Sequence, residues 1–340
     1  MPRAPRIAIN GFGRIGRLAL RALLDHEDPI DIAAINDLTD NETLAHLFKH
    51  DSLHGTYEGE VELVDGDLVI DGDHFHVLSE PDPSNLAWDK FDVDYVIECT
   101  GQFRHRADLQ THLDNGADRV VLSAPPKDEV DATLVLGVNG DTYDPGEDRL
   151  VSNSSCTTNC LGPTAKVLHD RFGIQHGLVT TAHAYTNSQV LLDREHDDLR
   201  RARAAAVSMI PTSTGAAKAI GSVMPELEGR LDAMAIRVPV PNVSVVDLTV
   251  RMNDTASADE VTAAYREAAD EELAGILRVE DEPLVSVDYQ TTPYSAVVDA
   301  PSLKVCEERM VKVLSWYDNE WGYSVRTADL VMDMWDQETA

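Results

Sequence analysis

A cysteine that opens a helix-like run is the residue best placed for nucleophilic chemistry. In Ser154-Ser155-Cys156-Thr157-Thr158-Asn159-Cys160, Cys156 begins a stretch that reads as helical through Phe172. The positive end of a helix favours thiolate over thiol, which predicts a lowered pKa for Cys156. Cys160 lies one turn further on and reads as a buried neighbour, while Pro163 marks a place where the helix can kink. The remaining cysteines, Cys99 and Cys306, complete neither a CxxC pair nor a zinc-like cluster, so no metal site is expected. A reactive thiolate calls for a cationic or general-base partner. His183, in Thr181-Ala182-His183-Ala184-Tyr185-Thr186, follows a strand in the same half of the chain. It is one of twelve histidines, however, and spacing alone does not single it out. A cysteine protease would also use a Cys/His pair, but it leaves the second motif unexplained.

That motif is Gly11-Phe12-Gly13-Arg14-Ile15-Gly16, a G-x-G-x-x-G that follows a strand and opens a helix. Asp37 ends the next strand, 21 positions after Gly16. In this context the glycines let backbone approach a pyrophosphate at a helix N-terminus, and Asp37 accepts from the adenosine ribose hydroxyls. A carboxylate there repels a 2′-phosphate and favours NAD over NADP. Glycines needed only for a tight turn would not bring the acidic residue into register.

The elements that must carry these residues alternate. Arg6–Asn10, Asp31–Asn36, Val93–Cys99, Arg119–Ser123 and Thr133–Val138 read as strands separated by helical and polar stretches. This is the pattern of a doubly wound parallel sheet of Rossmann type, an α/β fold. Residues 58–76, with Asp65-Gly66 and Asp71-Gly72, read as antiparallel hairpins. His176–His183 and Ala235–Val250 are strands of a second, α+β region with a mixed sheet, and Tyr323–Trp335 is an amphipathic helix. The expected domains are 1–155, completed by a C-terminal helix within 319–340, and 156–318.

Composition narrows the partners. Asp plus Glu total 60 against 28 Lys plus Arg, a formal charge of −32, and only 7 of the 28 basic residues are lysine. Such a surface repels nucleic acid and anionic lipid, so neither is an expected partner. The balance resembles that of proteins from salt-accumulating halophiles, where the Debye length falls to roughly 3 Å at 1 M salt. No apolar run reaches the ~18 residues of a membrane span, and MPRAPRIAIN lacks the apolar core of a secretory signal, which makes the cytoplasm the expected location.

The runs INGFGRIGR, SNSSCTTNCLGP, HAYTNSQ, LRRARAAA, IPTSTGAAKA, MAIRVPVPNVSVVDL and WYDNEWGYS follow one another between residues 9 and 324. With them the chain resembles the phosphorylating glyceraldehyde-3-phosphate dehydrogenases. The resemblance implies a homotetramer that oxidises glyceraldehyde 3-phosphate with NAD and passes an acyl thioester on Cys156 to inorganic phosphate. It makes His183 the base of Cys156. It assigns Ser155, Thr157, Thr214 and Gly215 to one phosphate position, Thr186 and Arg237 to the second, and Arg201 to both. It assigns Gly11, Gly13, Arg14, Ile15, Asp37, Ser123 and Asn319 to the cofactor, Asn319 as donor to the nicotinamide carboxamide. Erythrose-4-phosphate dehydrogenase shares the chemistry, but its relatives lack the Thr214-Gly215 pairing. A non-catalytic nucleotide-binding regulator would have lost Cys156 or His183. Three positions depart from the family: Ser188 stands where aspartate is frequent, Ser79-Glu80-Pro81-Asp82 lacks an arginine, and Arg194-Glu195 replaces Leu-Pro, which brings some NADP use within reach.

The charge balance yields a test. The melting temperature should rise between dilute buffer and molar KCl as self-repulsion is screened. Full activity and the same melting curve in dilute buffer would refute a salt requirement.

Overall fold

A computed structural model describes residues 3–339. The chain forms two compact units. The first holds the residues up to Leu134, Asp141–Ser154 and the chain from Ser324 on; the second holds Val135–Gly140 and Ser155–Tyr323. Residues 135–140, expected in the first domain, thus pack in the second.

The first unit is built on a nine-stranded sheet. Its order runs Ala132–Thr133, Leu150–Ser152, Arg119–Leu122, Tyr95–Glu98, Arg6–Asn10, Asp31–Asn36, Asp73–Leu78, Asp67–Ile70 and Val61–Val64. Pairing is parallel as far as Asp73–Leu78 and antiparallel beyond it. The strand order reverses at Arg6–Asn10, with Asp31–Asn36 on one side and Tyr95–Glu98 on the other. That is the switch point outside which open α/β sheets bind ligands. Ile7, Ile9, Ile35, Val96 and Ile97 are fully buried, as strands covered on both faces require. The hairpin turns are as expected: Asp65 and Gly66 have φ of 54° and 95°, Asp71 and Gly72 of 53° and 93°. The expected strand Thr133–Val138 is cut to Ala132–Thr133, because Val138 and Asn139 N–H both turn back to the Val135 carbonyl at 2.9 and 3.1 Å. The C-terminal helix, Trp321–Thr339, is tied into this unit through Glu338, which accepts from Tyr95 Oη at 2.5 Å and from Tyr143 Oη and Arg119 Nε at 2.7 Å.

The second unit carries an eight-stranded mixed sheet. Its main path runs Ile210–Ser213, Leu231–Val238, Ile174–Ala184, Ser244–Met252, Met310–Tyr317, Ala296–Asp299 and Leu277–Glu280. The expected single strand over Ala235–Val250 is two strands. Pro239 and Pro241 cannot donate to a ladder, so the chain leaves the sheet after Val238 and re-enters at Ser244. Burial alternates strictly along Ser244–Met252, and Val246, Leu248, Val250 and Met252 face the helices Cys156–Phe172, Ala216–Val223 and Ala258–Asp270. The helix Cys156–Phe172 is continuous across Pro163. Tyr265 Oη donates to the Thr164 carbonyl at 2.7 Å, which binds the third helix to it beside the proline. No described helix is long and apolar enough to cross a membrane.

The glycine turn of the first unit divides its glycines by function. A Cβ on Gly16 would lie 2.1 Å from the Gly11 carbonyl oxygen, whereas one on Gly13 would meet no atom within 4 Å. Gly16→Ala should therefore lower the melting temperature by about 5 °C or more. Gly13→Ala should leave melting nearly unchanged yet weaken dinucleotide binding about tenfold, because the methyl fills the space a phosphate needs. A calorimetric scan and a fluorescence titration of both variants check this; equal effects would contradict it.

Candidate active site

In the first unit the helix Arg14–Leu24 begins at Gly13, and no side chain caps it. Its first amides are therefore presented to an anion in the open space beside Gly13. Gly11, at φ 94°, has the Thr100 amide where its Cβ would be, 2.6 Å away, so only glycine fits. Asp37 Oδ2 accepts from Phe12 N–H at 2.7 Å and Oδ1 from Thr39 N–H at 2.9 Å, which leaves lone pairs on both oxygens for ribose hydroxyls. These features fit a dinucleotide. The Arg14 guanidinium is committed elsewhere, to Asp51. Burial works against the Asp51 carboxylate, but Arg14 and the Leu53 and His54 amides outweigh it and hold the pKa down at about 2. Arg14 and Ile15 thus face the phosphate turn with backbone, not charge.

Ser123 ends its strand with both N–H and Oγ donating to the Glu98 carbonyl at 3.0 Å. Glu98 itself went unnoticed in the sequence. Its carboxylate is fully buried and accepts from Asn10 Nδ2 at 2.6 Å, Thr100 N–H at 2.7 Å and His112 Nε2 at 3.2 Å. Several donors replace water around it, so the loop beyond Glu98 is fixed next to the glycine turn. A lone glutamate inside an apolar strand, Tyr95–Glu98, was the available signal.

The second unit brings Cys156 and His183 together. Ser155 caps the helix, its Oγ accepting Thr158 N–H at 3.1 Å, and Cys156 is the first helical residue. His183 and Arg237 are register partners on the parallel strands Ile174–Ala184 and Leu231–Val238. Cys156 Sγ lies 3.6 Å from His183 Nε2. On the other ring edge, Nδ1 is 2.7 Å from the Ala184 carbonyl and 2.6 Å from Arg237 Nη1, which also reaches that carbonyl at 2.8 Å. Nδ1 thus has an acceptor, the Ala184 carbonyl, and a donor, Arg237 Nη1, both within reach. The tautomer that donates Nδ1–H to Ala184 is the one that leaves the Nε2 lone pair facing the sulfur, as a general base requires.

The expected low thiol pKa does not hold for the free chain. Burial pushes Cys156 up and outweighs the opposing pull of Arg237 and of the Thr157 hydroxyl and amide. Burial and the Arg237 charge also push His183 down to about 3. Both shifts disfavour charge on this pair in the absence of an anion. Cys160 is inert: it is fully buried, its Sγ contacts the Ser315 carbonyl at 3.6 Å, and burial raises its pKa to about 12.

The arginines form the anion side. Among the described residues, Arg237 Nε is buried without a hydrogen-bond partner. Arg201 Nε donates to Thr212 Oγ1 at 3.0 Å, and Thr212 Oγ1 donates to Asp198 Oδ2 at 2.8 Å, with the Arg201–Asp198 ion pair at 3.7 Å. Arg201 is close enough to depress both Arg237 and His183. Thr214 Oγ1 accepts Ala216 N–H at 3.3 Å, and Gly215 begins the helix Ala216–Val223 uncapped by a side chain, so this turn too presents amides. Thr186 Oγ1 pairs with Ser188 Oγ at 2.9 Å. No hydrogen bond among the described residues joins Thr186 or Thr214 to the Cys156–His183 pair. Asn319 Oδ1 accepts from Ser244 Oγ at 2.7 Å. Tyr317, missed in the sequence, bonds Thr157 Oγ1 and Thr181 Oγ1 at 3.0 Å and stands edge-on to His183. Asp198 was missed as the anchor of Arg201. Neither has a sequence signal beyond lying inside a motif.

The buried histidine has a measurable consequence. Folded His183 stays neutral down to about 3, whereas an unfolded histidine protonates near 6.5. Between those values the unfolded chain binds more protons, so stability falls as pH drops through the window. His183→Asn removes this contribution. From pH 7 to pH 5 the urea midpoint of the wild type should fall further than that of the variant; equal falls would refute the shift.

Comparison with known proteins agrees with this geometry. Residues 5–106 match the family model for the NAD binding domain of glyceraldehyde 3-phosphate dehydrogenase, and residues 155–319 match the model for its C-terminal domain. The chain is 55% identical over 327 residues to a glyceraldehyde-3-phosphate dehydrogenase of Geobacillus stearothermophilus, covering 96% of this chain and 97% of that one. It is 53% identical to glyceraldehyde-3-phosphate dehydrogenase 1 of Bacillus subtilis, with the same coverage. It is also 53% identical to the enzyme of Mycolicibacterium smegmatis, over 96% of this chain and 97% of that one. A glycine turn and an acidic residue, Asp37, beside it in one unit, a cysteine–histidine pair beside two arginines in the other, and identity along nearly the whole length place the chain in the glyceraldehyde-3-phosphate dehydrogenase family, with NAD as its cofactor.

Proposed function

We propose that the chain converts glyceraldehyde 3-phosphate and inorganic phosphate to 1,3-bisphosphoglycerate through an acyl thioester on Cys156. The observation that carries this is the 3.6 Å approach of Cys156 Sγ to His183 Nε2, with a half-buried, half-partnered Arg237 against the same imidazole. Neutral His183 accepts the thiol proton as Sγ attacks the aldehyde carbon, and returns it to the new hydroxyl oxygen, giving a hemithioacetal. The Cys156 amide at the helix start and the transient imidazolium stabilise the developing oxyanion. NAD, when bound, supplies the hydride acceptor. As the hemithioacetal carbon loses hydride, His183 takes the hydroxyl proton and the thioester forms. Phosphate then attacks the acyl carbon and the sulfur leaves as thiolate, which the His183 imidazolium can reprotonate.

Two anions must be held for this sequence. Ser155, Thr157, Thr214 and Gly215 serve one phosphate, Thr186 and Arg237 the other, and Arg201 serves both. An anion beside Arg237 offsets the charge that depresses His183, so substrate and base are coupled. On the cofactor side we assign the backbone of Gly11, Gly13, Arg14 and Ile15 to the pyrophosphate and Asp37 to the ribose. Ser123 we place near the nicotinamide end, with Asn319 as donor to its carboxamide.

The working form is a cytoplasmic homotetramer in this reading. Supporting it, Leu191, Leu192, Leu199, Val207 and Met209 are each at least 74% exposed in one loop region, and Leu178 is 68% exposed on the face of the second sheet away from the helices. Apolar surface of this kind is what subunit contacts cover.

An NADH assay tests the proposal. Glyceraldehyde 3-phosphate should be turned over in a phosphate-dependent manner, far better than erythrose 4-phosphate, and better with NAD than with NADP. Cys156→Ser should lose at least about 10³-fold in kcat. Undiminished turnover in that variant would overturn the mechanism, and a preference for NADP would overturn the assignment of Asp37.

A further inference from the structure

Ser244 begins a strand of the second unit and is 1% exposed, yet none of the assignments above uses it. The directions of its hydrogen bonds are forced. Ala184 N–H can only donate, so Ser244 Oγ accepts there at 3.0 Å. The single hydroxyl hydrogen then goes to Asn319 Oδ1 at 2.7 Å. With its oxygen so engaged, Asn319 turns its NH2 away from Ser244, and no hydrogen bond among the described residues occupies that group.

The adjoining residues are arranged around the same contact. Asn242 Nδ2 donates to Asp318 Oδ2 at 2.8 Å, and Asp318 also takes the Thr291, Glu320 and Trp321 amides at 2.8, 2.9 and 2.8 Å. Residues 242 and 244 thus hold residues 318 and 319. Between the two donors, Val243 is buried with φ of 66°, a conformation that a β-branched residue adopts only when its surroundings impose it. On the other side of Ser244, Ala184 offers its N–H to Ser244 and, from its next peptide, its carbonyl to His183 Nδ1 and Arg237 Nη1.

We propose that Ser244 is a positioning residue for hydride transfer: its hydroxyl fixes the orientation of the Asn319 carboxamide and ties that donor, through the backbone of Ala184, to the His183 imidazole. The proposal rests on the reading of Asn319 as donor to the nicotinamide carboxamide. A hydroxyl at 244 keeps the donor NH2 presented; without it the amide can rotate and present oxygen to oxygen.

The test is a double-mutant cycle of Ser244→Ala and Asn319→Ala in the full chain, reading NAD affinity by titration and hydride transfer by single-turnover absorbance. Ser244→Ala should weaken NAD about tenfold and slow hydride transfer, while the alkylation rate of Cys156 by iodoacetamide stays close to wild type. The double variant should be no worse than Asn319→Ala, because the two losses are one interaction. Wild-type affinity and hydride rate in Ser244→Ala, with both lost in Asn319→Ala, would overturn the proposal and leave the Asn319 reading standing. Wild-type behaviour of Asn319→Ala would overturn that reading itself. Should Ser244→Ala fail to fold, Ser244→Cys, with its poor donor, replaces it, and unimpaired NAD binding there overturns the proposal equally.

Discussion

The imidazole of His183 is held on both edges inside the second unit, with the Cys156 sulfur 3.6 Å from Nε2 and the Ala184 carbonyl and Arg237 guanidinium crowded against Nδ1. This one contact explains why its surroundings are arranged as they are. A buried imidazole beside a guanidinium stays neutral, which keeps its Nε2 lone pair on the thiol. The thiol in turn is not free to ionise, because burial disfavours an isolated thiolate more than Arg237 and the Thr157 donors favour it. Reactivity must therefore be created by what binds. In the proposed mechanism an anion at the arginines would remove the charge that suppresses the base, where the substrate's own phosphate or the attacking one is needed.

The sheet of the second unit is what makes that contact reproducible. Parallel pairing of Ile174–Ala184 with Leu231–Val238 sets His183 against Arg237, and a one-residue slip would send both side chains to the opposite face. Alternating burial along Ser244–Met252 keeps register through the packing of Val246, Leu248 and Val250 on the helix that presents Cys156. Tyr317 then bridges the helix and the His183 strand by pairing with Thr157 and Thr181.

Charge is distributed against the trend of the chain. In a chain with 60 acidic residues, Arg17 and Arg21 of the glycine-turn helix and Arg326 of the C-terminal helix are withdrawn from solvent, and Arg237 at the active site is half-buried. Arg21 stacks on Phe48 and donates to the Phe48 carbonyl at 2.5 Å, so it serves the end of a neighbouring helix and not a ligand. Guanidinium suits these places because it satisfies several carbonyls at once and tolerates partial desolvation better than ammonium. Inward arginine and outward carboxylate are consistent with the scarcity of lysine.

Much of the architecture was legible from local chemistry. The glycine turn, the second strand ending in Asp37, the Asp-Gly hairpins and the helix beginning at Cys156 each depend on a few neighbouring residues, so spacing reveals them. The errors lie where a local pattern meets a distant constraint. Thr133–Val138 has strand composition but turns back on Val135, and Ala235–Val250 is apolar throughout but is broken by two prolines that no ladder admits. Position also misled about the thiol, since a helix N-terminus is visible in the sequence while the burial that overrides it is not.

Sequence alone singled out Cys156 as candidate nucleophile and determined the glycine turn and the family resemblance, because these reside in contiguous motifs whose residue types the chemistry requires. It did not choose His183 from twelve histidines by any local rule, nor disclose Glu98, Tyr317, Asp198 or Ser244. Their roles arise from partners far along the chain: Glu98 from Asn10, Tyr317 from Thr157, Ser244 from Asn319. Only tertiary structure decides such pairings, because a buried polar group is defined by which donors and acceptors the folded sheets bring within 3 Å of it, and by the water they exclude.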